Sequence, residues 1–403
     1  MKLSSKEILI VVILGLLTAI VALSIDLYLP AFKVIAEDLH TDMGKVQVSL
    51  SVFLGGLAVG QLLWGTLSDR IGRKLPLIIA VTIYSIASVL VLTTHSIAEL
   101  WVYRFLQAFC GAAGMVVPRA IVTDYFDKEK TAKIFSALAL ISGVAPILAP
   151  SIGNLLLGEN DWYDIFIAMT VFGVVAVFLV VFFLPETHSP KEKPTAYTKK
   201  ERSVLASYIH VFQNKQFVIY ALIGSLTFSG LMIYISNSPL LIMEKGGFTG
   251  TQYSLIFGLN AIGMVAGSYS VGFLMKRFSS KTLVKYASLL QTIIGLLLVA
   301  CILAVLPLIA ILVLLFLFLI LTGVLLPTTT DLALVPFHSD SGTASAVFGF
   351  SQLAFTFIFS GIIGLTQNNS VIPMAMALLS CATVSLFVQI FQDKKRTANK
   401  GLA

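Results

Sequence analysis

Charge is what this chain has least of. Asp, Glu, Lys and Arg make up only 12% of its 403 residues, while 57% are hydrophobic, and the mean hydropathy is +0.94. That is too little polar material to cover a water-soluble fold of this length, which excludes a soluble enzyme or binding module. Cysteine is nearly absent. Cys110, Cys301 and Cys381 all lie in apolar runs and read as small core hydrophobes, not as disulfides or metal ligands. The five histidines (His40, His95, His188, His210 and His338) fall in loops or at span ends without ligand spacing, so no metal site is expected. No nucleotide-binding glycine loop occurs, so neither ATP nor any other cofactor is expected. No basic face with interleaved aromatics remains for nucleic acid, and no repeated filter or charged ring suggests a channel.

What is present is apolar sequence in long runs. Crossing a bilayer takes about 20 apolar residues. Twelve stretches qualify: roughly 8–30, 47–67, 75–93, 98–121, 133–157 and 163–184, then 216–238, 252–274, 283–304, 307–327, 343–366 and 371–392. The first follows Lys2 and Lys6 as a signal peptide would, but it is too long and lacks a small-x-small cleavage site, so it reads as a retained span. The expectation is an all-α integral membrane protein. A first six-helix half covers 1–184, a central loop 185–215, a second six-helix half 216–393 and a tail 394–403. Leu184-Pro185-Glu186-Thr187-His188 reads as a helix stop, and Tyr208–Phe212 as a short surface helix. Most of the 27 Lys and Arg fall in the N-tail, the central loop, the C-tail and alternate short loops. That asymmetry predicts both termini in the cytoplasm.

The densest polar signal is Gly65-Thr-Leu-Ser-Asp69-Arg70-Ile-Gly72-Arg73-Lys74, between spans 2 and 3. Gly65 and Gly72 allow close approach of two helix ends, and Asp69, Arg70, Arg73 and Lys74 can lock them by charge-assisted hydrogen bonds. An ordinary positive-inside loop would need only Lys and Arg, so the glycines and Asp69 favour a latch. Asp124, at the end of span 4, is the expected acceptor for Arg73; a plain solvated helix end is the alternative. The stretch Gly60–Arg70 is echoed by Gly267–Arg277 at constant offset, which points to a six-span duplication in parallel orientation.

Asp26 is stranded in apolar sequence, about 30 Å along the helix from Lys6. Two readings stand: an intramembrane acid with a function, or a carboxylate wetted at the outer interface. Arg104, entering span 4 at matching depth, is its expected partner; a structural tie to a helix end is the alternative. Tyr28 and Gln107 are candidates to line a substrate pocket, with Asn260, Gln291 and Gln352 weaker ones in the second half, where helix–helix bonding is the commoner role. Carboxylates in the second half (Glu244, Asp331, Asp340) fall at span ends. Proton coupling would therefore rest on the first half, and a largely apolar pocket suits lipophilic neutral or cationic compounds better than sugars. Span 5, interrupted by Gly143, Pro146, Pro150 and Gly153, is expected to be broken or bent, with both glycines in close contact with a neighbour.

The loop resembles the G-x-L-x-D-R-x-G-R-K signature of the major facilitator superfamily. Arg104-Phe-Leu-Gln107-Ala108 resembles its span-4 signature R-x-x-Q-G, with Ala108 in place of the glycine. Gly143 to Asn154 resembles its span-5 antiporter signature with a second proline. With Asp26-Leu-Tyr28-Leu-Pro30, these segments resemble the Bcr/CflA subgroup of drug:proton antiporters. The resemblance implies the twelve-helix major facilitator fold with a midplane site between the halves. It also implies Arg104 in proton coupling, to which the placement of the acids adds Asp26, and export of bicyclomycin- or chloramphenicol-like compounds in exchange for protons from the bacterial cytoplasmic (inner) membrane. The implied partners are a small-molecule substrate, protons and the lipid bilayer, and nothing calls for more than a monomer. A carrier dedicated to one metabolite, such as an amino acid, nucleoside or siderophore, is the competing reading.

Overall fold

Among the described residues every regular element is helical, as lipid requires: only a helix satisfies its own backbone without a partner strand. The computed structural model describes residues 4–158, 161–187, 210–337, 341–366 and 370–400. In chain order the helices are α1 (Ser5–Asp26), α2 (Phe32–Asp38), α3 (Met43–Ile71), α4 (Lys74–Val91), α5 (Ile97–Tyr125), α6 (Lys128–Leu156) and α7 (Tyr163–Phe183). They continue with α8 (Lys215–Pro239), α9 (Gly250–Leu274), α10 (Ser280–Leu303), α11 (Leu308–Leu334), α12 (Ser341–Thr366) and α13 (Ile372–Lys400). Twelve candidate spans result, the first combining α1 and α2. The described residues fall into two compact units. One lies within Met1–Lys199 plus Thr249–Leu255, the other within Lys200–Phe248 plus Ile256–Ala403.

In the first unit α3 and α5 cross almost backbone to backbone. A Cβ on Gly60 would lie 2.2 Å from the Phe109 carbonyl oxygen, and Trp64 Nε1 donates to that same oxygen at 2.7 Å. In the second unit α9 and α11 cross in the same way. A Cβ on Gly267 would lie 2.1 Å from the Ile320 oxygen, and one on Gly323 2.0 Å from the Met264 oxygen. Gly60 and Gly267 are the glycines that the internal echo aligns, so the repeated sequence builds equivalent crossings. Small residues serve this purpose in membranes, where packing replaces the hydrophobic drive between helices.

Three segments differ in detail from a plain span-and-loop plan. The span-5 segment is not broken: α6 runs unbroken from Lys128 to Leu156. Its two prolines stand four apart, so the donor missing at Pro150 is the one Pro146 would have accepted, and only the Ser142 and Pro146 carbonyls lose a helical bond. Residues 394–400, within the stretch expected as a tail, continue α13 as helix, Lys and Arg being good helix formers. Span 7, expected over 216–238, runs on past Pro239. Helix α8 passes through Pro239 into a π-helical segment, Leu240–Lys245, and the turn comes at Gly246-Gly247, where Gly247 has φ +67°. Ser238 Oγ donates to the Ile235 carbonyl at 2.8 Å, supplying the bond that Pro239 cannot. Of the surface helix expected over Tyr208–Phe212, residues 210–212 are helical; Tyr208, most of the central loop, His188, His338 and Asp340 lie outside the described residues.

The crossings predict a graded result. Gly60→Ala and Gly267→Ala should each destabilise the detergent-solubilised protein by about 1–3 kcal/mol, read as a lower thermal midpoint. Gly272→Ala, which meets nothing within 4 Å, should leave the midpoint unchanged or raise it.

Candidate functional site

The site begins with a proline. Pro30 has no N–H to give the Asp26 carbonyl and disfavours helix at Leu29, so α1 ends at Asp26. The chain turns through Leu27 and Tyr28 into a 3-10 turn, Leu29–Ala31. Carbonyls in the last turn of α1 are left without helical donors, and one of them faces Arg104. Its Nη2 donates to the Ser24 carbonyl oxygen at 2.7 Å, and its Nη1 to Gln107 Oε1 at 2.5 Å. The guanidinium carbon lies 4.2 Å from the Phe53 ring centroid, 4.6 Å from that of Tyr28 and 5.7 Å from that of Phe166. Arg104 is fully buried. Its charge is held by the negative end of a helix dipole, an amide oxygen and three aromatic rings.

Those holders are themselves held. Gln107 Nε2 donates to Ser88 Oγ at 2.7 Å, and Ser88 Oγ donates to the Tyr84 carbonyl at 2.9 Å. Tyr84 Oη lies 2.7 Å from Ser24 Oγ. Ser24 Oγ already donates to Ile20, so Tyr84 is the donor. Tyr28 Oη likewise donates to Ser49 Oγ at 2.8 Å, because Ser49 donates to Val46. One polar chain thus ties α1, α4 and α5 around the arginine. Ser24, Tyr84 and Ser88 escaped the sequence reading, since serines and tyrosines in apolar runs carry no spacing signal.

Asp26 is 3% exposed, and its Oδ1 has no hydrogen-bond partner. The interfacial reading is therefore overturned: the carboxyl is inside the unit. The expected ion pair with Arg104 is also absent among the described residues, because the guanidinium is committed to Ser24 and Gln107, leaving only its Nε without a partner. Tyr28 and Gln107, expected to line a pocket, are engaged with the arginine. Both are fully buried and serve to hold Arg104. An apolar groove of about 530 Å³ does occur in this unit, between α4 and α7, lined by Thr82, Ile86, Val89, Val174 and Phe178 among others. Its walls are exposed faces of two spans, so it reads as a lipid-filled surface furrow, and it contains none of the expected site residues.

The loop between α3 and α4 is clamped from three sides. Arg73 Nε donates to Asp124 Oδ2 at 2.8 Å, Nη1 donates to Ser68 Oγ at 3.0 Å, and Nη1 also pairs with Asp69. The Asp124 side chain is 24% exposed and that of Asp69 66%, so the Asp124 contact carries more of the energy. Burial pulls the Arg73 proton affinity down, but Asp124 and Asp69 outweigh it and the net direction is upward. The third side is Glu186, which the sequence presented only as part of a helix stop. Its Oε1 accepts from the Arg73 backbone N–H at 2.7 Å and its Oε2 from that of Lys74 at 3.0 Å. This places an anion on the first amides of α4. Gly72 has φ +99°, and a Cβ there would meet Glu186 Oε2 at 2.7 Å, so the glycine is needed twice over. Gly65 is less demanding, its nearest neighbour being Val116 at 3.4 Å. Arg70 is exposed and forms no ion pair among the described residues; Lys74 contributes its backbone.

In span 5, Gly153 abuts the Leu27 carbonyl, whereas Gly143 meets nothing within 4 Å, so the close contact expected at Gly143 is absent. In the second unit Asn260 Nδ2 donates to Tyr234 Oη at 2.7 Å, and Gln291 Nε2 to Thr322 Oγ1 at 2.9 Å. Both tie helices together. Gln352 Nε2 reaches only the Gly224 carbonyl, at 3.5 Å.

Twelve spans in a duplicated plan, with a buried arginine and a clamped loop between spans, define a polytopic membrane transporter. The chain belongs to the Major Facilitator Superfamily, whose sequence profile matches residues 14–364. It is 30% identical over 95% of both chains to the uncharacterized MFS-type transporter YdgK of Bacillus subtilis. It is 31% identical to the multidrug resistance protein MdtL of Klebsiella pneumoniae over 93% of each chain. With a bicyclomycin resistance protein homolog of Haemophilus influenzae it shares 25% identity over 96% of this chain and 97% of that one. A crystal structure of a D-xylose–proton symporter superposes with TM-score 0.79 at 14% identity, covering 96% of this chain and 97% of that one, a likeness of fold.

The clamp predicts a kinetic effect without a change of specificity. Arg73→Ala, Asp69→Asn and Glu186→Gln should slow transport turnover and leave the set of compounds recognised unchanged, as read by initial rates with a compound panel. Since the Asp69 side chain is 66% exposed, Asp69→Asn should be milder than Arg73→Ala. An altered substrate range would show that the loop contributes to recognition.

Proposed function

We propose that this protein exports lipophilic, drug-like small molecules in exchange for protons, by alternating access, with Asp26 as the proton site. The observation that carries this is the carboxyl itself: buried within the first unit, one oxygen uncommitted, at the end of the helix whose last turn anchors Arg104. An acid excluded from water and not spent on the fold is available to bind and release a proton. When it releases one, the uncommitted Arg104 Nε or a cationic substrate supplies compensating charge, which makes cargo and proton alternatives at one place. The relatives named for multidrug and bicyclomycin resistance support the substrate class, and the fold-level likeness to a sugar symporter does not bear on it.

We place the protein in the bacterial cytoplasmic membrane as a single chain, both termini and the 185–215 loop on the cytoplasmic side. The distribution of Lys and Arg supports that orientation, and the bacterial relatives support the compartment.

Everted vesicles carrying Asp26→Asn should lose efflux driven by a pH gradient while the protein still inserts to wild-type levels. Efflux retained in full would remove Asp26 from the mechanism.

A further inference from the structure

Helix α6 touches α1 at the acid. A Cβ on Gly153 would lie 2.2 Å from the Leu27 carbonyl oxygen, 2.9 Å from its carbon and 3.0 Å from its Cα. All three are backbone atoms and cannot rotate aside. Leu27 follows Asp26 and caps α1, its N–H donating to the Leu23 carbonyl at 3.1 Å. The peptide under Gly153 is thus the Leu27–Tyr28 unit, next along the chain from Asp26 and one turn from the Ser24 carbonyl that holds Arg104. Gly114 of α5 also approaches the α1 backbone closely, a Cβ there lying 2.6 Å from the Leu17 oxygen, about 13 Å back along the helix from Asp26.

We propose that Gly153 is a positioning residue for proton exchange, its missing side chain seating α6 on the Leu27 peptide and thereby setting the placement of the Asp26 carboxyl. The inference rests on the reading of Asp26 as the proton site. A methyl group at 153 must push α6 away or shift the 27–31 turn, and Asp26 moves with that turn. The change is one of position, not of charge. Between 146 and 156, α6 carries no ionisable side chain. The other helices packed on α1 are chiefly α5 and α7, and α4 reaches it through Tyr84, whose Oη lies 2.7 Å from Ser24 Oγ. At this end they bring Arg104, Tyr103 and Glu99 on α5 and Tyr163 and Asp164 on α7, while Tyr28 lies in the turn itself. None of these is altered by the substitution.

The test is the pH titration of Asp26 in the reconstituted full-length protein. It is followed by the carboxylic-acid band in infrared difference spectra and identified by its loss in Asp26→Asn. Gly153→Ala should displace the midpoint of that band by about one pH unit, while Gly143→Ala and Gly114→Ala leave it in place. An unmoved midpoint in Gly153→Ala, or an equal displacement in Gly114→Ala, overturns the proposal and leaves Asp26 as the proton site. A wild type in which no Asp26 band titrates overturns both. Should Gly153→Ala fail to fold, hydrogen exchange of the wild type on either side of the midpoint decides. Amide protection at 27–31 and at 153–157 must change together, and a change confined to 27–31, or none, sinks the idea.

Discussion

A cation buried in an apolar helix bundle is the constraint on which the first unit depends. Removing a guanidinium from water costs several kcal/mol even after relaxation, and among the described residues no carboxylate pairs with Arg104. The cost is offset piecemeal. Hydrogen bonds to a charged group contribute about 1.5–3 kcal/mol each, and there are two. A helix C-terminus contributes up to about 2 kcal/mol in a buried setting, and a desolvated cation–π contact a similar amount. The sum is of the size required, which is why four helices supply parts to one side chain and why none of those parts is free to do much else.

That arrangement separates two groups that sequence reasoning had joined. Both terminal nitrogens of Arg104 are satisfied without Asp26, only Nε staying open, and Asp26 is buried without Arg104. The physical origin of both facts is the same break in α1. Pro30 frees the last carbonyls of the helix, these attract the arginine, and the carboxyl that ends the helix is left with an open oxygen. A paired carboxylate would be part of the scaffold; an unpaired one can exchange a proton.

The loop between α3 and α4 follows the same logic of orphaned backbone. Gly72, in a left-handed conformation, lets the chain reverse and presents the first amides of α4 to Glu186. The Arg73 side chain then bridges back to Asp124 at the end of α5. The clamp joins α3, α4, α5 and the segment after α7 through backbone donors and charged side chains, and it needs no buried carboxylate to do so.

The spans, their number and the duplication were legible in the residues, because the bilayer imposes a length and a polarity on each crossing that is written locally. Asp26, Arg104 and the Gly65–Lys74 loop stood out as candidates for the same reason, since ionisable or glycine-rich residues are conspicuous against apolar sequence. Which groups meet was not legible. The commitment of Arg104 to Ser24 and Gln107, the capping of α4 by Glu186 and the seating of Gly153 on Leu27 all join residues far apart in the chain through backbone atoms, which leave no mark in composition or spacing. Local solvation thus determined what must cross the membrane, and only packing decided which polar atoms would satisfy one another and which single carboxyl oxygen would be left over.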